Sequence, residues 1–466
     1  MFIKVLTLFS WIICFYLYES SITIPFHKRI DTLTLQTNPL KEKTHNYLEC
    51  EIGIGTPKQT IKVLLEFYSN GIWIIQPDCG DVVMTSNLQN KQTPFYEHLS
   101  STFKNQSRYF NKYREYRRFT RYSKAKQGYD TFSFGNENVE VNNLMFFSAQ
   151  RFSNLPIASG VLGLELNNVH FSTIAFGGWI NKLAEANSTI QELFCIDYLS
   201  NDYGKFIIGQ NDDLKQIQKN TGYSFKHIDQ YYWEIIFDII SYGDDAYMVN
   251  VPVSFQIELG VIIAPDNYYK FIKKTLFDKY FQKCREVNVI GTDYKTFTCD
   301  QNIHKQIKAE FNDIIFELNN NFTTSLTSED LFFINKDDNS IIFTVYFYVD
   351  GRRLLNNEWV VGEPFFRKNL VVFDINNKTI GLYAKQDFSY FSFIRVFKQS
   401  FQSIYSIHIC CIGLLIFLIL IIFIMKKINH KKNIKMKIVS KRKGLIPTEQ
   451  NENFFNDELL NEIEGK

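Results

Sequence analysis

From Tyr47 onward the chain is built of short β-branched and aromatic runs broken by Gly, Asn and Asp, at 61–65, 72–75, 131–134, 206–208, 235–239, 341–349 and 370–373. Runs of this length bounded by turn residues predict many short strands and an all-β architecture. Helical spacing is sparse: it is clearest over 268–280, with a second stretch at 304–311. Residues 22–46 are polar, carry Lys28, Arg29, Lys41 and Lys43, and show no strong periodicity, which predicts a leader or short propeptide.

Two segments depart from the strand pattern. Residues 1–21 hold Lys4, an apolar run over 5–17, and small Ser20 and Ser21, the make-up of a secretory signal peptide. Residues 407–425 are almost wholly apolar and are followed at once by Lys426-Lys427. A helix of that length crosses about 30 Å of hydrocarbon, and the basic residues after it place the tail in the cytosol. The expected protein is a single-pass type I membrane protein of the secretory pathway or cell surface, its body lumenal or extracellular. A stalk at 386–406 precedes the transmembrane helix at 407–425, and a cytosolic tail fills 426–466.

At 466 residues the chain exceeds what one hydrophobic core supports, so two core units are expected. A net charge of +2 argues against bulk nucleic-acid affinity. Aromatics reach 16%, alongside plentiful Asn, Lys and Ile, a mixture typical of a nucleotide-biased genome. In an oxidising lumen Cys284 and Cys299 are near enough in sequence to form a local disulfide, while Cys50, Cys79 and Cys195 leave an odd number, with Cys50–Cys79 an open pairing. Sequons at Asn105, Asn187, Asn321 and Asn377 offer N-glycan sites. No paired-Cys or His-rich metal spacing, phosphate loop or nucleophile elbow occurs, so neither metal nor cofactor is expected.

The chemistry concentrates in two loops. The first reads Ile52-Gly53-Ile54-Gly55-Thr56-Pro57-Lys58-Gln59, then Val63-Leu64-Leu65-Glu66-Phe67-Tyr68-Ser69-Asn70-Gly71. The second reads Val253-Ser254-Phe255-Gln256-Ile257-Glu258-Leu259-Gly260 and runs on to Pro265. Each is followed by an apolar-apolar-Gly strand, Val161-Leu162-Gly163 and Val360-Val361-Gly362. Further landmarks keep the same order: Ser100-Ser101-Thr102-Phe103, Gly128-Tyr129-Asp130-Thr131, Phe206-Ile207-Ile208-Gly209, and Trp359 through Phe366 with Val372-Phe373-Asp374. Over 47–384 this resembles the pepsin-like aspartic proteases (peptidase A1), whose two lobes each bring an Asp-Thr-Gly loop to a shared cleft. The resemblance implies a bilobal acid-protease fold with an N-terminal lobe at 47–210 and a C-terminal lobe at 211–385. It also implies a peptide or protein as the ligand.

An aspartic protease needs two carboxyl groups so close that they cannot both ionise, one protonated and one activating water. By the resemblance, Asp-Thr-Gly has become Glu66-Phe67-Tyr68 in the first loop. Counting back from Pro265 without gaps, the second becomes Gln256-Ile257-Glu258. Glu lengthens the side chain by roughly 1.5 Å in a site where about 1 Å matters. Gln256 is neutral at every working pH. A two-residue deletion gives the alternative match Glu258-Leu259-Gly260 and a Glu66/Glu258 pair. Between Ser107 and Gln127 there is no glycine, and eight Lys or Arg residues face one acid, Glu115. That segment matches the family flap; Tyr116 and Tyr122 are both candidates for the substrate-covering tyrosine, with Ser69 a further peptide-contact position. The cationic segment is read either as a lip for an acidic ligand or as a solvated hairpin. Three functions remain open: a membrane-anchored pseudoprotease that binds peptide, an atypical endopeptidase using Glu66 and Glu258, and a non-catalytic surface glycoprotein.

Overall fold

A computed structural model describes residues 21–29, 39–67, 70–80, 93–116, 119–135, 139–152, 158–165, 178–187, 190–210, 214, 224–226, 233–319, 322–335, 338–349, 357–385 and 426. The chain divides into two compact units, Met1–Phe388 and Ser389–Lys466. Within the second unit Lys426 is the one residue described. The predicted signal peptide, apart from Ser21, and the predicted transmembrane segment at 407–425 lie outside the described residues. No helix among the described residues is long and apolar enough to cross a membrane.

The first half supplies β1 (Ser21–Arg29), β2 (Tyr47–Ile54), β3 (Gln59–Glu66), β4 (Asn70–Gly80), β5 (Lys104–Tyr116), β6 (Phe119–Phe134), β7 (Val139–Phe152), β8 (Gly160–Leu164), β9 (Leu193–Tyr198) and β10 (Tyr203–Gly209). The second adds β11 (Ser224–Lys226), β12 (Glu234–Tyr242), β13 (Asp245–Phe255), β14 (Ile262–Ile263), β15 (Cys284–Asn288), β16 (Tyr294–Asp300), β17 (Ile314–Leu318) and β18 (Phe322–Leu326). It continues with β19 (Phe332–Asn335), β20 (Ser340–Phe343), β21 (Val345–Tyr348), β22 (Trp359–Val361), β23 (Asn369–Asp374) and β24 (Thr379–Ala384). Short helices intervene: α1 (Pro39–Lys43), α2 (Trp179–Ala186), α3 (Asp266–Thr275), α4 (His304–Glu310), α5 (Ser328–Leu331) and α6 (Glu363–Lys368). The architecture is mainly β and bilobal, as the strand pattern predicts.

Two sheets carry it. One runs β11-β24-β23-β9-β10-β1-β2-β3-β8-β4-β7-β6-β5, the other β18-β17-β12-β13-β22-β14-β21-β16-β20-β19, with β15 on β16. The last strands among the described residues thus pair into the first sheet, through Val371↔Ile196 and Phe373↔Phe194 on β9. Lobe and sheet are not the same division.

Several sequence expectations change in detail. The leader at 22–46 is not featureless: Ser21–Arg29 is a central strand, antiparallel to β10 and to β2. Its Ile22, Ile24 and Phe26 alternate inward and are fully buried, because period two puts every second side chain on one face. The helix expected over 268–280 ends at Thr275 and is followed by a 3₁₀ turn at Phe277–Tyr280, whose Phe277 ring stacks 4.0 Å from Phe297. The run 341–349 is two strands, broken at Thr344, whose N–H and hydroxyl both donate to the Leu331 carbonyl at 2.8 and 3.0 Å.

Cys284 and Cys299 face each other across β15 and β16 and are disulfide-bonded, as expected. The Cys50–Cys79 pairing is not formed; neither of these cysteines nor Cys195 is disulfide-bonded. Burial pushes the Cys50 and Cys195 thiols well above their ordinary range, which makes them inert core residues. Of the sequons, Asn105 and Asn377 are exposed, Asn187 is half-buried at the end of α2, and Asn321 lies outside the described residues.

If β1 is an integral strand, Phe26→Ala should lower the unfolding free energy by about 3–5 kcal/mol in denaturant titrations. A loss below about 1 kcal/mol would mean that the sheet closes without it.

Candidate functional site

Each of the two loops joins two strands that clasp a third. In the first lobe β3 runs parallel to β8, with Leu64↔Val161, Leu65↔Leu162 and Glu66↔Gly163, and β4 lies antiparallel on the other side of β8. In the second lobe β13 runs parallel to β22, with Val253↔Trp359, Ser254↔Val360 and Phe255↔Val361, and β14 lies antiparallel on its other side. The Gln256 N–H then donates to the Val361 carbonyl at 3.0 Å. Aligning the two apolar-apolar-Gly strands makes Glu66 and Gln256 equivalent. The register therefore favours the ungapped reading of the second loop. Glu258 sits two residues further on, inside a turn closed by the Leu259 N–H on the Gln256 carbonyl. Both Glu66 and Gln256 are buried.

The next position in each loop is apolar and packed inward. Phe67 meets Phe373 edge-on at 5.0 Å and Phe194 at 6.0 Å; Ile257 is fully buried. Glu258 crosses between the loops: the Phe67 N–H donates to its Oε2 at 3.3 Å. Tyr68 and Ser69 lie outside the described residues.

The sequence matches the eukaryotic aspartyl protease family over residues 46–385, most of the chain. The chain belongs to this family. It is 25% identical to vacuolar protease A of Neurospora crassa over 341 residues, covering 71% of this chain and 77% of that protein. It is 23% identical to pepsin A of Gallus gallus over 355 residues, covering 73% and 86%.

Within this aspartyl protease scaffold the second loop is held from behind by a segment that sequence reading left as leader. The Asn46 N–H donates to the Glu258 carbonyl at 2.8 Å, and the Asn46 amide donates to the Ile257 carbonyl at 2.6 Å and to the Tyr198 hydroxyl. The Gly260 N–H donates to the Thr44 carbonyl at 3.3 Å. A Cβ on Gly260 would lie 2.4 Å from the Lys43 carbonyl oxygen, so only glycine lets the strap pass. Burial, followed by the Glu363 charge, pushes the Tyr198 hydroxyl well above its usual range; the Asn46 contact opposes this. Lys28 of β1 pairs with Glu363 at the start of α6, tying the leader strand to the crossing strand's exit.

A second cluster also escaped the sequence. Ser254, two residues before Gln256, is within hydrogen-bond distance of Glu234 (2.8 Å) and Glu358 (2.7 Å). Serine has one proton to donate, so it serves one carboxylate at a time unless the other is protonated. Ser254 sits between Val253 and Phe255 on β13, and nothing local in the sequence marks it. Among the described residues no group of three His, Cys, Asp or Glu could hold a metal ion.

The flap candidates fall on the β5–β6 hairpin. Tyr113↔Tyr122 are directly opposed, and Tyr116↔Phe119 is the last pair before the turn. Asp130 anchors the base of this hairpin, accepting from the hydroxyls of Thr102 (2.5 Å) and Ser100 (3.1 Å) and from the Thr131 N–H (2.8 Å). The landmarks Ser100-Ser101-Thr102 and Asp130-Thr131 are thus one hydrogen-bonded unit.

Phe67 fills space that a smaller polar residue would leave empty. Phe67→Thr should cost about 3–5 kcal/mol of stability, read by denaturant titration. An unchanged midpoint would mean the aromatic contacts to Phe373 and Phe194 contribute nothing.

Proposed function

We propose that this aspartyl protease relative is a pseudoprotease of the secretory pathway, anchored by a single transmembrane helix, that binds peptide or protein in the cleft between its lobes without efficient hydrolysis. The observation that carries this reading is the placement of Glu66 and Gln256 at equivalent positions of the two loops. A carboxamide neither ionises nor shares a proton, so the acid pair that splits water in this family has no second member here. The apolar Phe67 and Ile257 supply no hydroxyl to hydrogen-bond across the lobes. The apolar 407–425 segment supports the anchor, and the vacuolar location in the name of the Neurospora crassa relative supports a lumenal body. Exposed sequons at Asn105 and Asn377 agree with that compartment.

A second reading draws on the reach of the Glu258 carboxylate into the first loop. In it Glu66 and Glu258 form an atypical acid pair and the protein is an endopeptidase. Peptide-library digestion by the full-length protein between about pH 3 and pH 7 separates the two. The expected result is turnover at least about 10⁴-fold below an active relative. Cleavage that Glu66→Gln abolishes would move the assignment to the endopeptidase.

Restoring both acids tests the scaffold. Glu66→Asp with Gln256→Asp should yield a pair that titrates with one raised apparent pKa, since neighbouring like charges oppose double ionisation. Weak binding of a transition-state analogue and little turnover should follow, because Phe67, Ile257 and Glu258 still shape the loops. Two carboxylates titrating independently would show that positions 66 and 256 do not face each other.

A further inference from the structure

We propose that Glu258 is a positioning residue, a side-chain latch that holds the two loops together across the lobes in place of the loop hydroxyls this chain has lost. The backbone of Glu258 is fixed from both sides before its side chain is considered. Its carbonyl accepts from Asn46 N–H at 2.8 Å, and the preceding Ile257 carbonyl accepts from the Asn46 amide at 2.6 Å. On the other flank the Leu259 carbonyl accepts from Glu363 N–H at 2.7 Å, and Ile257 is locked by burial. A side chain on so rigid a base loses little further freedom when it docks. It docks on the Phe67 N–H at 3.3 Å, a contact spanning 191 residues of sequence.

That N–H belongs to the residue directly after Glu66, so its hydrogen bond sets where the first loop turns away from β3. Phe67 and Ile257 have no side-chain acceptor. A carboxylate accepting from a backbone N–H forms a charge-assisted bond, stronger than the neutral kind. Glycine at 258 could not reach, and aspartate would fall one methylene short. The length of Glu258 is therefore the feature that matters, and its carboxylate is engaged in structure, not held for chemistry. The latch stands independently of whether a peptide occupies the cleft.

Hydrogen–deuterium exchange of the full-length protein in detergent, resolved to the Phe67 amide, tests it. Glu258→Leu and Glu258→Gly should speed exchange at Phe67 by about tenfold. Glu258→Gln keeps an acceptor of the same length and should stay within about threefold of the parent. The glycine variant adds no bulk and carries the comparison if leucine does not fit. Unchanged Phe67 exchange in the glycine variant overturns the latch, as does equal acceleration by glutamine and glycine. Peptide hydrolysis that Glu258→Gln abolishes while Phe67 exchange stays slow assigns the carboxylate to catalysis and overturns it too. Hydrolysis lost with Glu66→Gln alone refutes the pseudoprotease and leaves the latch standing.

Discussion

Gly362 has no side chain, and the backbone of the second loop runs through the space that one would need. A Cβ there would lie 2.3 Å from the Leu259 carbonyl oxygen and 2.4 Å from that of Val261. No side chain survives such an approach, so the crossing strand and the loop meet backbone to backbone. On the loop's opposite side a Cβ at Gly260 would lie 2.4 Å from the Lys43 carbonyl oxygen and 3.0 Å from that of His45. The loop is thus clamped between a strand from late in the chain and a strap from near its start. The register of β13 on β22, the inward seat of Gln256 and the aim of Glu258 all follow from that clamp.

The first loop is held by different forces. Phe67 reaches Phe373 on β23, and Phe373 also lies 4.9 Å from Phe194, 4.9 Å from Trp233 and 6.1 Å from Phe255. One ring near the end of the chain therefore ties the first loop, β9 and the strand entering the second loop into a single aromatic cluster. Aromatic pairs, whether edge-to-face or stacked, add about 0.5–1.5 kcal/mol each beyond burial. A hydroxyl in the same place would need a partner of its own or cost about 1–3 kcal/mol. At Phe67 the side chain packs among rings while the backbone N–H makes the directional bond to Glu258.

Much of this was legible in the residues. Glu66 ends β3 and Gln256 directly follows β13, strands paired with their apolar-apolar-Gly partners, and helices overlap the expected stretches, at 266–275 and 304–310, where Tyr268, Tyr269, Ile272 and Ile307 line the buried face. Ile22, Ile24 and Phe26 carried a period-two signal that Pro25 and the basic residues around it obscured. Asn46, Ser254 and Glu258 were invisible for a better reason. Their partners lie between 20 and 211 residues away, and nothing local marks a polar side chain whose bond is made by tertiary approach. Tyr116 and Tyr122 lie on the two strands of one hairpin, and their backbone register does not choose between them.

On the pseudoprotease reading proposed above, the replacements of Asp-Thr-Gly are coupled to one another. Threonine at 67 would leave a void beside Phe373 and bury a hydroxyl among rings. Glycine at 258 would free the Phe67 N–H that Glu258 now receives. Aspartate at 256 would place a second carboxylate at the position equivalent to Glu66 and bring like-charge repulsion that a carboxamide avoids. Each change is accommodated by its neighbours, and residues in direct contact do not contribute additively. The present loops form a consistent set: a buried acid and a buried amide at equivalent positions, two apolar residues packed inward, and one long carboxylate reaching from the second loop to the first. A single reversion meets a structure already fitted to the others, so the path back to a catalytic floor runs through less stable intermediates.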